Sequence, residues 1–133
     1  LKSGETKNKY IAWYDRRAGP YNPSPLVYGD EFYTLFDFGF LGCRDAKTGE
    51  VHYDKERINP EKATGFTVSP WAYRGHIFAL SEAGDTFVFK AGKEYKLVRV
   101  NHTGGMSMAN PALVGERLLL RNQTHLFSIR EKN

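Results

Sequence analysis

Three segments of the 133-residue chain begin alike. They are Ser24-Pro25-Leu26-Val27-Tyr28-Gly29-Asp30, Ser69-Pro70-Trp71-Ala72-Tyr73-Arg74-Gly75 and Asn110-Pro111-Ala112-Leu113-Val114-Gly115-Glu116. Ser24 and Ser69 are 45 residues apart, and Ser69 and Asn110 are 41 apart. A period of that size marks a repeated supersecondary unit. Such a unit cannot bury its apolar surface alone and must stack on its neighbours. No other feature restricts the fold as strongly.

Each unit reads as a short strand after Pro, a tight turn, an apolar strand, a second turn, a third strand and a Gly turn. A more polar fourth strand follows in the first two units. The apolar strands are Glu31–Phe36, Gly75–Leu80 and Glu116–Leu120, nearly continuous runs that suit burial on both faces. Asp85–Lys90 alternates, and His125–Arg130 is similar; Val51–Lys55 and Tyr95–Val100 are more polar and read as outer strands. Pro lacks a ladder donor, so it belongs where it recurs, at a strand's start. Helix signals are poor, the best being one turn at Asn59–Ala63. The expected fold is all-β: four-stranded antiparallel meanders, the blades of a β-propeller, about three of them in an incomplete ring. Residues 1–22 are expected to be the outer strand of a preceding blade, with Lys9–Arg16 as its core. Residues 23–58 and 67–101 form one blade each, and 107–133 a terminal partial blade. Three blades leave open faces and edges, so the chain is expected to be part of something longer or to form a homo-oligomer.

Composition removes several classes of function. The one cysteine, Cys43, excludes an intrachain disulfide, and with four scattered His it argues against a closed structural zinc site. No apolar run is long enough to span a bilayer, and no secretory leader is recognisable in these residues. The net charge of +4 is not gathered into a stripe. It is positive over 1–22, negative over 23–58 and positive again over 59–121. That pattern argues against a nucleic-acid partner.

The unit Leu41-Gly42-Cys43-Arg44-Asp45-Ala46-Lys47-Thr48-Gly49-Glu50-Val51-His52-Tyr53 resembles the repeat of the pyrroloquinoline-quinone-like (PQQ-like) β-propellers. Their repeat has an apolar strand, Asp-Ala-x-Thr-Gly-Glu/Lys, then an outer strand with Trp. Asp45, Ala46, Thr48, Gly49 and Glu50 match, and Tyr53 stands where Trp is expected. Trp13 supplies a candidate Trp for the preceding unit, whereas Phe89–Tyr95 lacks the Asp and Thr. The resemblance is to the last blades of non-enzymatic relatives, such as the outer-membrane-assembly propeller lipoproteins. It implies a protein-interaction scaffold without a cofactor, in a periplasmic, envelope or secreted setting. Its partner would be a protein or further blades.

Within the motif the chemistry is structural. Asp45 and Thr48 suit turn capping, and Gly49 a positive φ. The aromatic Tyr53 can stack on a neighbouring blade's backbone. A quinoprotein dehydrogenase fragment, with PQQ and calcium, is the first alternative. Asp15, Asp37 and Asp85 are its candidate carboxylates, but no Glu–Asn–Asp set is identifiable. A carbohydrate-active propeller using Asp15, Asp37 and Glu82 is the second. His102, Met106 and Met108 could suggest a soft metal but fit a Gly-rich connector more simply. Trp13, Arg16, Arg17, Tyr21 and Trp71 are the candidates for a partner-binding rim, by the aromatic and Arg character of interface anchors.

Overall fold

The computed structural model describes residues 8–62 and 64–131. These form three antiparallel sheets and, among the described residues, no helix. The first holds β1 (Leu26–Tyr28), β2 (Glu31–Phe36), β3 (Phe40–Asp45) and β4 (Val51–Arg57) in sequence order. The second holds β5 (Trp71–Tyr73), β6 (His76–Leu80), β7 (Asp85–Lys90) and β8 (Leu97–His102), again in order. The third holds β9 (Ala112–Val114), β10 (Arg117–Arg121) and β11 (Leu126–Arg130). Each is a propeller-type blade, and the fold is the expected all-β array.

Register confirms that the sheets are copies of one unit. Leu26↔Tyr33, Trp71↔Phe78 and Ala112↔Leu119 open the first hairpins. Ile77 pairs with Phe89 and Leu118 with Ile129, so these two pairs occupy the same position in consecutive sheets. Pro25, Pro70 and Pro111 each lie one residue before the short first strand, where the missing N–H costs no ladder bond.

The connectors stitch neighbours together with a repeated set of bonds. Phe66 N donates to Asp37 O and Glu82 N to Gly65 O. In the next connector Ser107 N donates to Glu82 O and Gln123 N to Met106 O. The repeat starts are chained as well: Ser24 N donates to Ser69 Oγ, and Ser69 N to Asn110 Oδ1. Gly84 is required where a connector passes its turn. Its φ is +85°, and a Cβ there would meet Gly105 O at 2.6 Å.

The main core lies between the first two sheets. Tyr33, Leu35, Leu41 and Cys43 face Ile77, Ala79, Phe87 and Phe89, with Ile58 and Phe66 closing the end at the β2–β3 turn. Tyr33 Oη accepts from Gly92 N, Tyr28 Oη from Gly75 N, and Cys43 Sγ donates to Gly92 O. Burial pushes the Cys43 thiol up to about 11, so it stays protonated. The second interface is thinner. Its buried residues are Val68, Leu80 and Leu120, with Trp71 and Phe127 against them. Ser107 occupies the connector position that Phe66 fills in the first interface, and its buried Oγ has no partner.

Three expectations change. Residues 8–22 contain no strand. A strand over Lys9–Arg16 needs a ladder partner, and the segment lies on the first sheet's outer face instead. Tyr95 precedes β8 rather than opening it, and turns inward against Phe89 and Tyr53. The run Glu116–Leu120 reads as buried on both faces, yet only Leu120 is buried: Leu118 lines the open cleft beside the second sheet, and no described residues form a further sheet over Leu119.

Equivalent core positions should therefore differ in cost. Ile77→Ala should destabilise by about 3 kcal/mol and Leu118→Ala by about 1 kcal/mol in urea titration. The Cys43 thiol should react with a disulfide reagent only at the rate of global opening, measured by pulse labelling.

Candidate functional site

Three places bear side chains that could act on something outside the fold. The first is the turn between β3 and β4. One oxygen of Asp45, Oδ1, accepts from Lys47 N, Thr48 N and Thr48 Oγ1, at 2.8 to 3.0 Å. Thr48 Oγ1 accepts from Glu50 N. Gly49 has φ +75°, and a Cβ there would lie 2.7 Å from the Trp13 ring. So Gly49 serves both the turn and the indole packed on it. The Thr48 amide, with the other turn donors, holds the Asp45 carboxyl below its usual range. Tyr53 packs edge-on against Tyr95 of the second sheet, at 5.7 Å. The four motif residues thus spend their polar and aromatic groups within the fold.

The second place is the segment on the first sheet's outer face. Trp13 packs edge-on to Phe32 at 5.2 Å, and its Nε1 donates to Ala46 O. Asp15 pairs with Arg44 at 2.8 Å, and the arginine side chain is only 9% exposed. Such a pair is costly to break from one side, because the other charge is left desolvated. The Arg17 amide is the main influence lowering the Asp15 carboxyl, with Arg44 assisting. Asp37 accepts from Tyr21 N and Asn22 N at the far turn. Partial burial pushes its carboxyl up, but those amides outweigh it and the net direction is down.

The third place was not among the sequence candidates, apart from Trp71. It is a cleft of about 300 Å³ between the second and third sheets. Trp71 and Phe78, stacked at 5.4 Å and 11°, form one wall, with Tyr73. Leu113, Leu118 and Ile129 form the other. Arg74 bridges the rim to Glu131 at 2.8 Å and lies 5.1 Å over the Tyr73 ring. Arg74 has φ +46°, so the β5–β6 turn has two left-handed residues in succession, Arg74 and Gly75, which suits a tight hairpin. The cleft residues alternate along strands that read as core. Only their exposure reveals a site, and exposure depends on a neighbouring sheet.

The expected rim is divided. Trp13 and Tyr21 are attached to opposite ends of the first sheet, Arg16 and Arg17 are exposed between them, and Trp71 is in the cleft. His102 pairs with Asp85 at 2.7 Å, and Met106 and Met108 are exposed to solvent. Among the described residues, no three His, Cys, Asp or Glu side chains lie close enough to hold a metal ion. Nor is any helix among them long and apolar enough to cross a membrane.

No protein-family model matches the chain. No curated protein matches it either. Among solved structures it is similar to the crystal structure of BamB from Moraxella catarrhalis, at 14% sequence identity and a TM-score of 0.49. The similarity covers 76% of this chain and 41% of that one, so the chain spans less than half of that protein's length.

The three depressed carboxylates, Asp15, Asp37 and Asp45, give a signed pH dependence. Their stabilisation is complete above the ordinary value of 3.8 and is lost as pH falls through their lower folded values. The melting temperature should therefore fall on acidification below about pH 4. Asp45→Ala should lower it by a few degrees at neutral pH and flatten that acid slope, as read by circular dichroism melts.

Proposed function

We propose that the protein is a non-enzymatic interaction scaffold of the propeller type, whose working surface is the third sheet and the cleft beside it. The observation that carries this reading is internal. Phe89 is 1% exposed, while Ile129, at the same position of the next sheet, is 42% exposed. Ile77 is fully buried and its counterpart Leu118 is half-buried. Among the described residues, the third sheet therefore keeps the side chains of a covered blade without the cover. Apolar surface retained next to charged rim residues is the composition of a protein-binding patch. The partner in this reading is a protein, and binding needs no cofactor. The likeness of the Asp45–Tyr53 unit to PQQ-like repeats supports a bacterial envelope setting.

A photo-crosslinking residue at Leu113 tests the proposal in living cells, with the same residue at exposed Val98 of β8 as the control. The expected result is one discrete protein adduct from position 113 and none from 98. Equal labelling at both, or none at 113, would overturn the reading. Tight thermal stabilisation by the quinone with calcium, together with dye-linked alcohol oxidation, would replace it with the dehydrogenase alternative.

A further inference from the structure

The two connectors make the same backbone bonds but carry different side chains at the turns they cross. Glu82 N donates to Gly65 O and Gln123 N to Met106 O, so Gly65 corresponds to Met106 and Glu82 to Gln123. Phe66 N and Ser107 N donate to Asp37 O and Glu82 O, which aligns Phe66 with Ser107 and Thr67 with Met108. In the first connector the side chains close a lock. Thr67 Oγ1 donates to Glu82 Oε1 at 2.6 Å. The carboxylate lies so close over Gly65 that a Cβ there would meet Glu82 Oε2 at 2.8 Å.

The second connector lacks that lock. Met106 brings the Cβ that the first connector excludes, so the Gln123 side chain cannot lie over the backbone as Glu82 does. Where Thr67 offers a hydroxyl, Met108 offers a thioether, a weak acceptor and no donor. An opening of about 260 Å³ stands there instead, lined by Met106, Met108, Ala109, Arg121, Asn122 and Gln123. Asn122 is already spent: its Nδ2 donates to Gly104 O, and its Oδ1 accepts from Thr124 N and His125 N. The donors left in the lining are the Gln123 amide and the Arg121 guanidinium. Both methionines are more than half exposed, and they are the only two in the chain. The remaining sulfur, on Cys43, is buried. An oxidant in solution therefore meets the methionine pair first.

We propose that Met108 is a site of reversible oxidation by peroxide, and that its sulfoxide oxygen accepts a hydrogen bond from the Gln123 amide, restoring the lock across the weaker joint. The step is a two-electron oxidation of sulfur. A sulfur lone pair takes the distal oxygen of hydrogen peroxide, and the S–O bond forms as the O–O bond breaks. The departing hydroxide takes the hydrogen of the transferred oxygen and leaves as water, so the peroxide gains the two electrons that sulfur loses. A dithiol-dependent reductase reverses the change, releasing the oxygen as water while two thiols close to a disulfide. The geometry suits this bond. The sulfoxide oxygen of Met108 stands two bonds further from its Cβ than Thr67 Oγ1 does, and Met106 displaces the Gln123 side chain outward, so both groups shift in the same direction. Glutamine suits it where glutamate does not, because only the amide donates. The site lies on the connector and not in the cleft, so it does not depend on the scaffold reading.

The full chain is treated with hydrogen peroxide, modified residues are located by peptide mass spectrometry, and melting is followed by circular dichroism. The expected result is an added oxygen at Met108 and a melting temperature raised by about 3 °C, the worth of one net hydrogen bond at this chain length. A methionine sulfoxide reductase with dithiothreitol should return both to their starting values. Met106→Leu should keep the rise, and Met108→Leu should remove it. Gln123→Ala should oxidise equally with no rise. Gln123→Glu should turn the rise into a fall, since a carboxylate repels the sulfoxide oxygen. Met108 left unmodified while Met106 reacts would overturn the site. Full oxidation of Met108 with an unchanged or lowered melting temperature would overturn the lock. A rise that survives Gln123→Ala would overturn the bond to Gln123.

Discussion

The structure depends on burial of both faces of the second sheet. Ile77, Ala79, Phe87 and Phe89 press on the first sheet, while Leu80 and Trp71 meet the third. A meander this small has no room for an internal core. Its inner strands must be apolar on both sides, and each face is stable only against a neighbour. The connector bonds, the packed turns and the cleft all follow from that requirement. On the first sheet's outer side, among the described residues, Trp13 packs on Phe32 and Asp15 pairs with Arg44.

The two interfaces show how one pattern gives two strengths of packing. Phe66 fills the connector position in the first, packed 5.9 Å from Phe87. Ser107 holds that position in the second, with a buried hydroxyl that no partner satisfies. Losing an aromatic ring and burying an unpaired hydroxyl both weaken the joint. The opening between Trp71 and Ile129 lies along this weaker joint.

Much of the fold was legible in the sequence because the information was local. The strands Glu31–Phe36 and Asp85–Lys90 form over the residues expected, and the Asp45-to-Gly49 turn makes the bonds its residue types suggest. What was not legible depends on distant partners. Lys9–Tyr14 is rich in β-formers, but a strand exists only through its ladder, and that segment packs by side chains instead. His76–Leu80 and Arg117–Arg121 look alike as strings; their burial differs because one has sheets on both sides. The cleft was missed for the same reason. Trp13, Arg16, Arg17 and Tyr21 lie on the segment beside the first sheet and Trp71 on β5 of the second, so shared chemical type does not bring them together.

The chain of contacts from Ser24 to Ser69 to Asn110 is directional: each repeat start donates its amide to the side chain of the next. Coupling of this sort runs only between neighbours, so cooperativity decays along the array instead of being shared by the whole molecule. Among the described residues, the central sheet is held from both sides and the third from one. Amide exchange protection is then graded in space, highest in β6 and β7 and lowest in β9 to β11. A partner that clamps the third sheet would thereby tighten the entire array, converting a recognition event into a change of global rigidity.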